Sequence, residues 1–233
     1  MKKQNTKGKF IVIDGTDGSG KATQVDLLIN RLKKDGYKVK MVDFPEYYSN
    51  FFGAFIGHCL SEQYYNFINV HPKIASVLYA ADRFESKGKI EGWLEKGYVV
   101  IANRYASANQ IHQGGKISNL KKRKDFIKWL DDMEHGVFGI PRPSIVFYLS
   151  LPIPFVIKLL EERNKTSNRA YLGKKKDFSE TNMSYQENSI KSALWLAKNQ
   201  PNWRKINCLD KNKLRTREDI HEDVYREVKK ILK

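Results

Sequence analysis

No apolar stretch in the 233 residues approaches the roughly 20 needed to cross a bilayer, so a soluble chain is expected. Only two cysteines are present, Cys59 and Cys208. They match no metal-ligand spacing, which excludes a disulfide scaffold and a zinc module and suits reduced thiols in the cytosol, making a cytoplasmic location the expectation. Internal repeats and a linker are lacking too, so a single domain over 1–233 is expected, with 1–8 as a basic tail. Residues 1–9 carry four lysines and no apolar segment, which is not the form of a secretory signal. Acidic residues are in deficit: 26 Asp and Glu stand against 42 Lys and Arg, a net charge of +16. That excess has three readings, namely a nucleic-acid partner, a lysine-rich composition, or an anionic small substrate. Lysines supply 31 of the 42 and recur along the whole chain, which favours the last two. Neither a nucleic-acid nor a membrane partner is expected.

What is present is ample apolar material, 41% of residues with 12% aromatic, enough for a full core. Apolar runs at 9–14, 37–43, 98–102 and 144–150 read as buried strands, and 204–208 as a weaker fifth. Helical patterns at 21–34, 72–96, 120–134, 154–163, 184–198 and 216–232 lie between them, with Pro152 and Pro154 at a tolerated helix start. The alternation predicts an α/β fold with a five-stranded, mostly parallel sheet and helices on both faces. The run at 163–176, RNKTSNRAYLGKKK, has six basic residues and little to bury. It reads either as a solvated loop or as a short lid over phosphates.

One motif carries chemistry. Gly15-Thr16-Asp17-Gly18-Ser19-Gly20-Lys21 follows an apolar strand and opens a helix, the context in which Gly-x-x-x-x-Gly-Lys is a phosphate loop. The glycines let backbone N–H groups turn toward phosphate oxygens, the helix N-terminus adds its positive end, and Lys21 adds a full charge. Position 22, where a Ser or Thr hydroxyl usually meets magnesium, is Ala22. Thr23 offers a hydroxyl, but adjacent helical residues point about 100° apart, so it faces a different phosphate.

The wider pattern resembles the thymidylate kinase family over nearly the whole chain. FIVIDGTDGSGK, DFPEY, LYAADRFE, VVIANRYASANQIHQGG, GIPRPSIVFYLSLP and LRTREDIHEDV occur in that order. GKATQ is also similar to the GKGTQ of adenylate kinases, which likewise lack a hydroxyl after the lysine. The resemblance implies a P-loop NTPase fold, ATP and dTMP as the nucleotides bound, and transfer of the ATP γ-phosphoryl group to dTMP. It places Gly15 to Thr23 on ATP, Lys21 on its phosphates, and Asp17 on the deoxyribose 3′-hydroxyl. Tyr79 and Arg83, four apart on one helix face, would stack on and contact the base. Arg104 would meet the dTMP phosphate, with Asn109, Gln113 and Gln186 completing base recognition. The family usually forms homodimers. Three departures stand out: Asn103-Arg104-Tyr105 replaces Asp-Arg-Tyr, Tyr47 replaces an arginine of one branch, and Gly18 replaces that branch's basic loop residue. The other branch carries its catalytic arginine in the lid, which points to Arg169 first and Arg163 second. With Ala22 and Asn103 both altered, no metal-ligating side chain is assigned. Mg2+ is expected to be held by ATP phosphates and water, with Asp14 or Asp17 ordering those waters. Other readings are a different nucleoside or nucleotide kinase, a basic ATPase that binds nucleic acid, or an inactive nucleotide-binding relative. The ATPase reading would need a strand ending in acids, and VVIANRY has none.

Overall fold

The computed structural model describes residues 7–61, 67–166 and 182–233, with side chains described for these except 163–166. At its centre is β1 (Lys9–Gly15), whose alternate residues enter opposite layers. Phe10 and Val12 pack on one face of the sheet, Ile11 and Ile13 on the other. A strand buried on both faces needs apolar residues at every position, which is why the run shows no alternation. β2 (Val39–Asp43), β3 (Val99–Asn103), β4 (Ile145–Ser150) and β5 (Trp203–Asn207) complete a five-stranded sheet in the order β2-β3-β1-β4-β5. Every neighbouring pair is parallel.

Helices cover both faces. On one, α1 (Lys21–Lys34), α7 (Ile153–Thr166) and α9 (Arg217–Leu232) seal a layer. Leu28 and Leu32 come from α1, Val156 and Leu160 from α7, and Val224 and Val228 from α9. On the other, α4 (Lys87–Glu95), α6 (Leu120–Asp131) and α8 (Met183–Asn199) contribute Ile90, Leu94, Ile127, Ala193 and Leu196. The chain leaves β1 through α1 on the first face and leaves β3 through α6 on the second. The two exits diverge above adjacent strand ends, and the crevice that results is where open α/β sheets bind ligands.

Three local readings change. The helix expected over 72–96 is two, α3 (Pro72–Glu85) and α4, separated by Ser86. The Ser86 backbone N–H turns back to Arg83 O at 3.2 Å, and its hydroxyl donates to Glu46 Oε1 at 2.8 Å. The segment α2 (Phe51–Leu60) is a helix that carried no visible period, because FFGAFIGHCL is apolar nearly throughout. The helix expected over 120–134 gives way at Asp132 to a π-helical turn, Asp132–Val137. Among the described residues no helix is long and apolar enough to cross a membrane. Most of the basic run at 163–176, including Arg169, lies outside the described residues, as does the side chain of Arg163.

Candidate active site

The glycine loop joins β1 to α1 through two left-handed residues, Gly18 at φ 75° and Gly20 at φ 86°. Gly20 is the N-cap of α1 and makes no side-chain cap, so the first-turn amides, which have no intrahelical partner, are presented to an anion. Lys21 Nζ donates to the carbonyls of Gly15 and Thr16 at 3.0 and 2.8 Å, which seats the ammonium over the loop. A Cβ on Gly18 would lie 2.9 Å from Leu160 Cγ and 3.0 Å from the Val156 carbonyl. Helix α7 therefore excludes any side chain there, which accounts for the missing basic loop residue.

Behind the loop, Asp14 is fully buried, accepting hydrogen bonds from the Ser107 hydroxyl and, at 2.8 Å, from Gly15 N–H. Burial pushes its carboxyl up, against the pull of Arg104, Ser107 and Lys21. Asp17 is ion-paired with Arg104. Burial would raise Asp17 as well, but Arg104, then Lys21, hold it well below the usual carboxylate range. Arg104 follows β3 at φ 64°, a left-handed conformation uncommon for a branched-free but bulky residue, and its N–H donates to Ile13 O at 3.0 Å. Such backbone strain clusters at functional sites, and here it points the guanidinium at Asp17.

His112 was not anticipated. It lies in a π-helical turn, Asn109–Gln113, that follows the short helix α5 (Ala106–Ala108). Its Nε2 is 3.2 Å from Arg104 Nη1, and its ring stacks on Tyr185 at 5.9 Å with an interplanar angle of 13°. Burial, reinforced by Arg104, pushes its pKa down to about 3, so the imidazole is neutral at pH 7 and accepts from Arg104. The unfolded chain takes up a proton near the ordinary value of about 6.5, while the folded chain resists until about pH 3. His112 thus lowers stability as pH falls through that window, because the unfolded state binds the proton. In urea unfolding between pH 7 and 4, His112→Gln should show a shallower fall in stability than the wild type; parallel curves would contradict this burial.

These groups end a cavity of about 380 Å3, within the range of small-molecule sites. Asp17, Tyr79, Arg83, Arg104, Asn109 and Gln113 all line it, so six of the seven residues expected to bind substrate share one wall. Gln186 is buried in α8 and is not part of the wall; its neighbour Tyr185 is. Ala22 reaches the cavity and Thr23 does not, as their angular separation on α1 requires. Tyr79 packs against Phe67 with ring centroids 5.9 Å apart.

Arg83 and Asn109 share a partner that the sequence did not flag. Arg83 Nε donates to Glu134 Oε2 at 2.7 Å, and Asn109 Nδ2 donates to Glu134 Oε1 at 2.8 Å. Arg83 and Glu134 are only 2% and 1% exposed. Their pairing fixes two polar groups of the wall in place, while Arg83 Nη2 is buried without a hydrogen-bond partner. The DFPEY segment is fixed by Glu46, which accepts from Lys89 Nζ at 2.7 and 2.9 Å and from Ser86. This sets Phe44 and Tyr47 against the cavity. Tyr105 packs edge-on to Phe10 at 4.7 Å beneath them. The wall also holds Asp43 and Lys116, neither of them anticipated. Burial lowers Lys116 to about 8, and its Nζ donates to Val70 O at 3.1 Å. Among the described residues, no group of three or more His, Cys, Asp or Glu side chains is placed to hold a metal ion.

A phosphate loop at the crevice of a doubly wound sheet, with this cavity opening beside it, defines a P-loop protein of the nucleotide kinase type. A family model for thymidylate kinase matches residues 13–220. The thymidylate kinase of Plasmodium falciparum (isolate 3D7) is 30% identical over 232 residues, covering 99% of this chain and 94% of that protein. That of Halothermothrix orenii is 30% identical over 228 residues, covering 96% and 97%. The solved thymidylate kinase from Candida albicans superposes with a TM-score of 0.72 at 22% identity, over 96% of this chain and 92% of that one, a likeness of fold. The chain belongs to the thymidylate kinase family.

Proposed function

We propose that the protein transfers the γ-phosphoryl group of ATP to dTMP, giving dTDP and ADP. The observation that carries this reading is the single cavity wall uniting Asp17, Tyr79, Arg83, Arg104, Asn109 and Gln113 beside the phosphate loop. In the reaction a dTMP phosphate oxygen bonds to the γ-phosphorus as the bond from that phosphorus to the β-bridging oxygen breaks. ADP carries away the electron pair. Such chemistry needs alignment and charge neutralisation more than a covalent residue. Lys21 and the α1 amides hold the ATP phosphates, and Arg104 stands where the acceptor phosphate must approach them. Asp17, held ionised by Arg104, accepts from the deoxyribose hydroxyl. Tyr79 offers a ring face to the base, and Arg83, Asn109 and Gln113 offer hydrogen bonds to its edge.

Magnesium bound with ATP supplies further charge neutralisation. Asn103 Oδ1, buried without a partner, and the neighbouring Asp43 carboxylate are oxygen donors that fit a hydrated cation beside the loop. Arg169, then Arg163, remain our assignments for a cation that closes over the transferring group. The family's homodimer is also our reading for this chain. It is supported by Ile74, Val77 and Phe84, which are 61%, 41% and 48% exposed along one face of α3. Light scattering would then return twice the 27.1 kDa chain mass.

A coupled assay with ATP, Mg2+ and each of dTMP, dUMP, AMP and CMP tests the substrate assignment. Thymidylate should be the preferred acceptor. Ready phosphorylation of AMP or CMP with dTMP ignored would overturn it.

A further inference from the structure

Two positions that would ordinarily hold a cation at this loop are silent: Ala22 ends in a methyl group and Asn103 in a neutral amide. The acid missing from position 103 has a counterpart one strand away. β2 pairs with β3 in parallel, and the register sets Asp43 directly opposite Asn103 at the carboxyl edge of the sheet. The Asn103 side chain lies beside the Asp43 carboxylate and favours its charged form. A carboxylate only accepts, so the end of the amide suited to face it is the N–H, with the oxygen at the other end. Asn103 is 9% exposed, and that Oδ1 has no hydrogen-bond partner. Asp43, Asn103 and Ala22 line the same cavity as Asp17 and Arg104.

The other acids at the loop are engaged. Asp14 is sealed beneath it by Ser107 and Gly15 N–H, and Asp17 is paired with Arg104. Asp43 makes no ion pair among the described residues, although it lies within the fields of Arg104 and Lys21. Its side chain is exposed toward the cavity.

We propose that Asp43 supplies, from β2, the carboxylate that β3 lacks, and that with Asn103 Oδ1 it orders the water shell of the divalent cation carried by ATP. The charge is retained and its strand has changed. The inference rests on the reading that ATP phosphates sit on the glycine loop, and it is independent of which monophosphate is the acceptor.

The test uses Mn2+ as probe with a non-hydrolysable ATP analogue, reading free Mn2+ by electron paramagnetic resonance, so that no turnover is needed. Asp43→Asn should weaken Mn2+ binding in the analogue complex by about tenfold or more, the scale of lost outer-shell partners. Analogue affinity without metal should stay level or rise, since a negative charge near the phosphates has gone. The exchange Asp43→Asn with Asn103→Asp should recover most of the Mn2+ affinity. Asn103→Asp alone sets two carboxylates against each other, and one proton shared between them keeps the gain small. Unchanged Mn2+ affinity in Asp43→Asn would overturn the proposal. So would equal losses with and without metal, which mark a structural role, and so would an exchange variant no better than Asp43→Asn.

Discussion

Replacing Arg104 with alanine should lower turnover roughly a hundred- to a thousandfold, the loss typical for one preorganised donor at a developing charge. The guanidinium lies at the junction of the two halves of the site. One of its nitrogens pairs with Asp17 in the phosphate loop, and another faces neutral His112 in the acceptor cavity. Without it, Lys21 is the full positive charge left near Asp17 among the described residues, and the approach of two anionic phosphates meets a carboxylate instead of a neutralised pair. Backbone strain can be separated from charge, because residue 104 stands at φ 64°. Arg104→Gly relieves the strain and Arg104→Ala retains it, so the glycine variant should melt higher while losing as much activity. Arg104→Lys restores the charge without the planar fork and should recover only part of the rate. Turnover within threefold of wild type in the alanine variant would remove Arg104 from the chemistry.

Glu134→Ala should be strongly destabilising, because Glu134 stands behind the cavity lining and holds Arg83 and Asn109. It strands Arg83 as a buried cation 2% exposed and removes one of the two acceptors of Asn109 Nδ2, leaving the Ser76 carbonyl. Breaking a buried pair from one side costs about 3–5 kcal/mol, which for a chain of this size is a fall of roughly 6–20 °C in melting temperature. Glu134→Gln keeps a carbonyl oxygen for one of the two donors and should lose less. Affinity for dTMP should fall with both variants in calorimetric titration, and affinity for ATP should hold, since the hydrogen bonds of Glu134 go to Arg83 and Asn109 and not to the loop. A melting temperature within about 2 °C of wild type for Glu134→Ala would contradict the role given to the pair. The same contact changes what Arg83→Ala means. That variant removes a cavity-lining cation and also leaves Glu134 as a buried carboxylate without its ion-pair partner, so Glu134→Gln separates binding from stability more cleanly.

The parts of the site that were legible in the sequence are those held by contiguous motifs. The glycine loop needs only a strand before it and a helix after it, both visible as periodicity. Tyr79 and Arg83 share a face because four residues make about one helical turn. Arg104, Asn109 and Gln113 ride on the segment immediately after β3. What escaped is what the topology assembles from distant stretches. Glu134 is 51 residues from Arg83 and sits on a π-helical turn, where the helical period that would place it fails. Asp43 and Asn103 meet only through a parallel strand pairing. The strand ending VVIANRY does lack an acid, and the charge stands on the strand beside it. His112 gave no signal beyond being a histidine; its neutrality follows from burial against Arg104. Gln186 and Tyr185 are adjacent on α8, and the pattern did not distinguish which of the two faces the cavity. Helix α2 was invisible for the opposite reason, too many apolar residues to define a face.

In the function proposed, one site holds both nucleotides and passes the terminal phosphoryl group between them. A single-turnover experiment with ATP labelled at the γ-phosphate, an excess of protein, Mg2+ and unlabelled dTMP tests this directly. The label should appear in dTDP, at a rate that collapses in Arg104→Ala. Label released as inorganic phosphate at the same rate with and without dTMP, with added dTMP recovered unchanged, would contradict it.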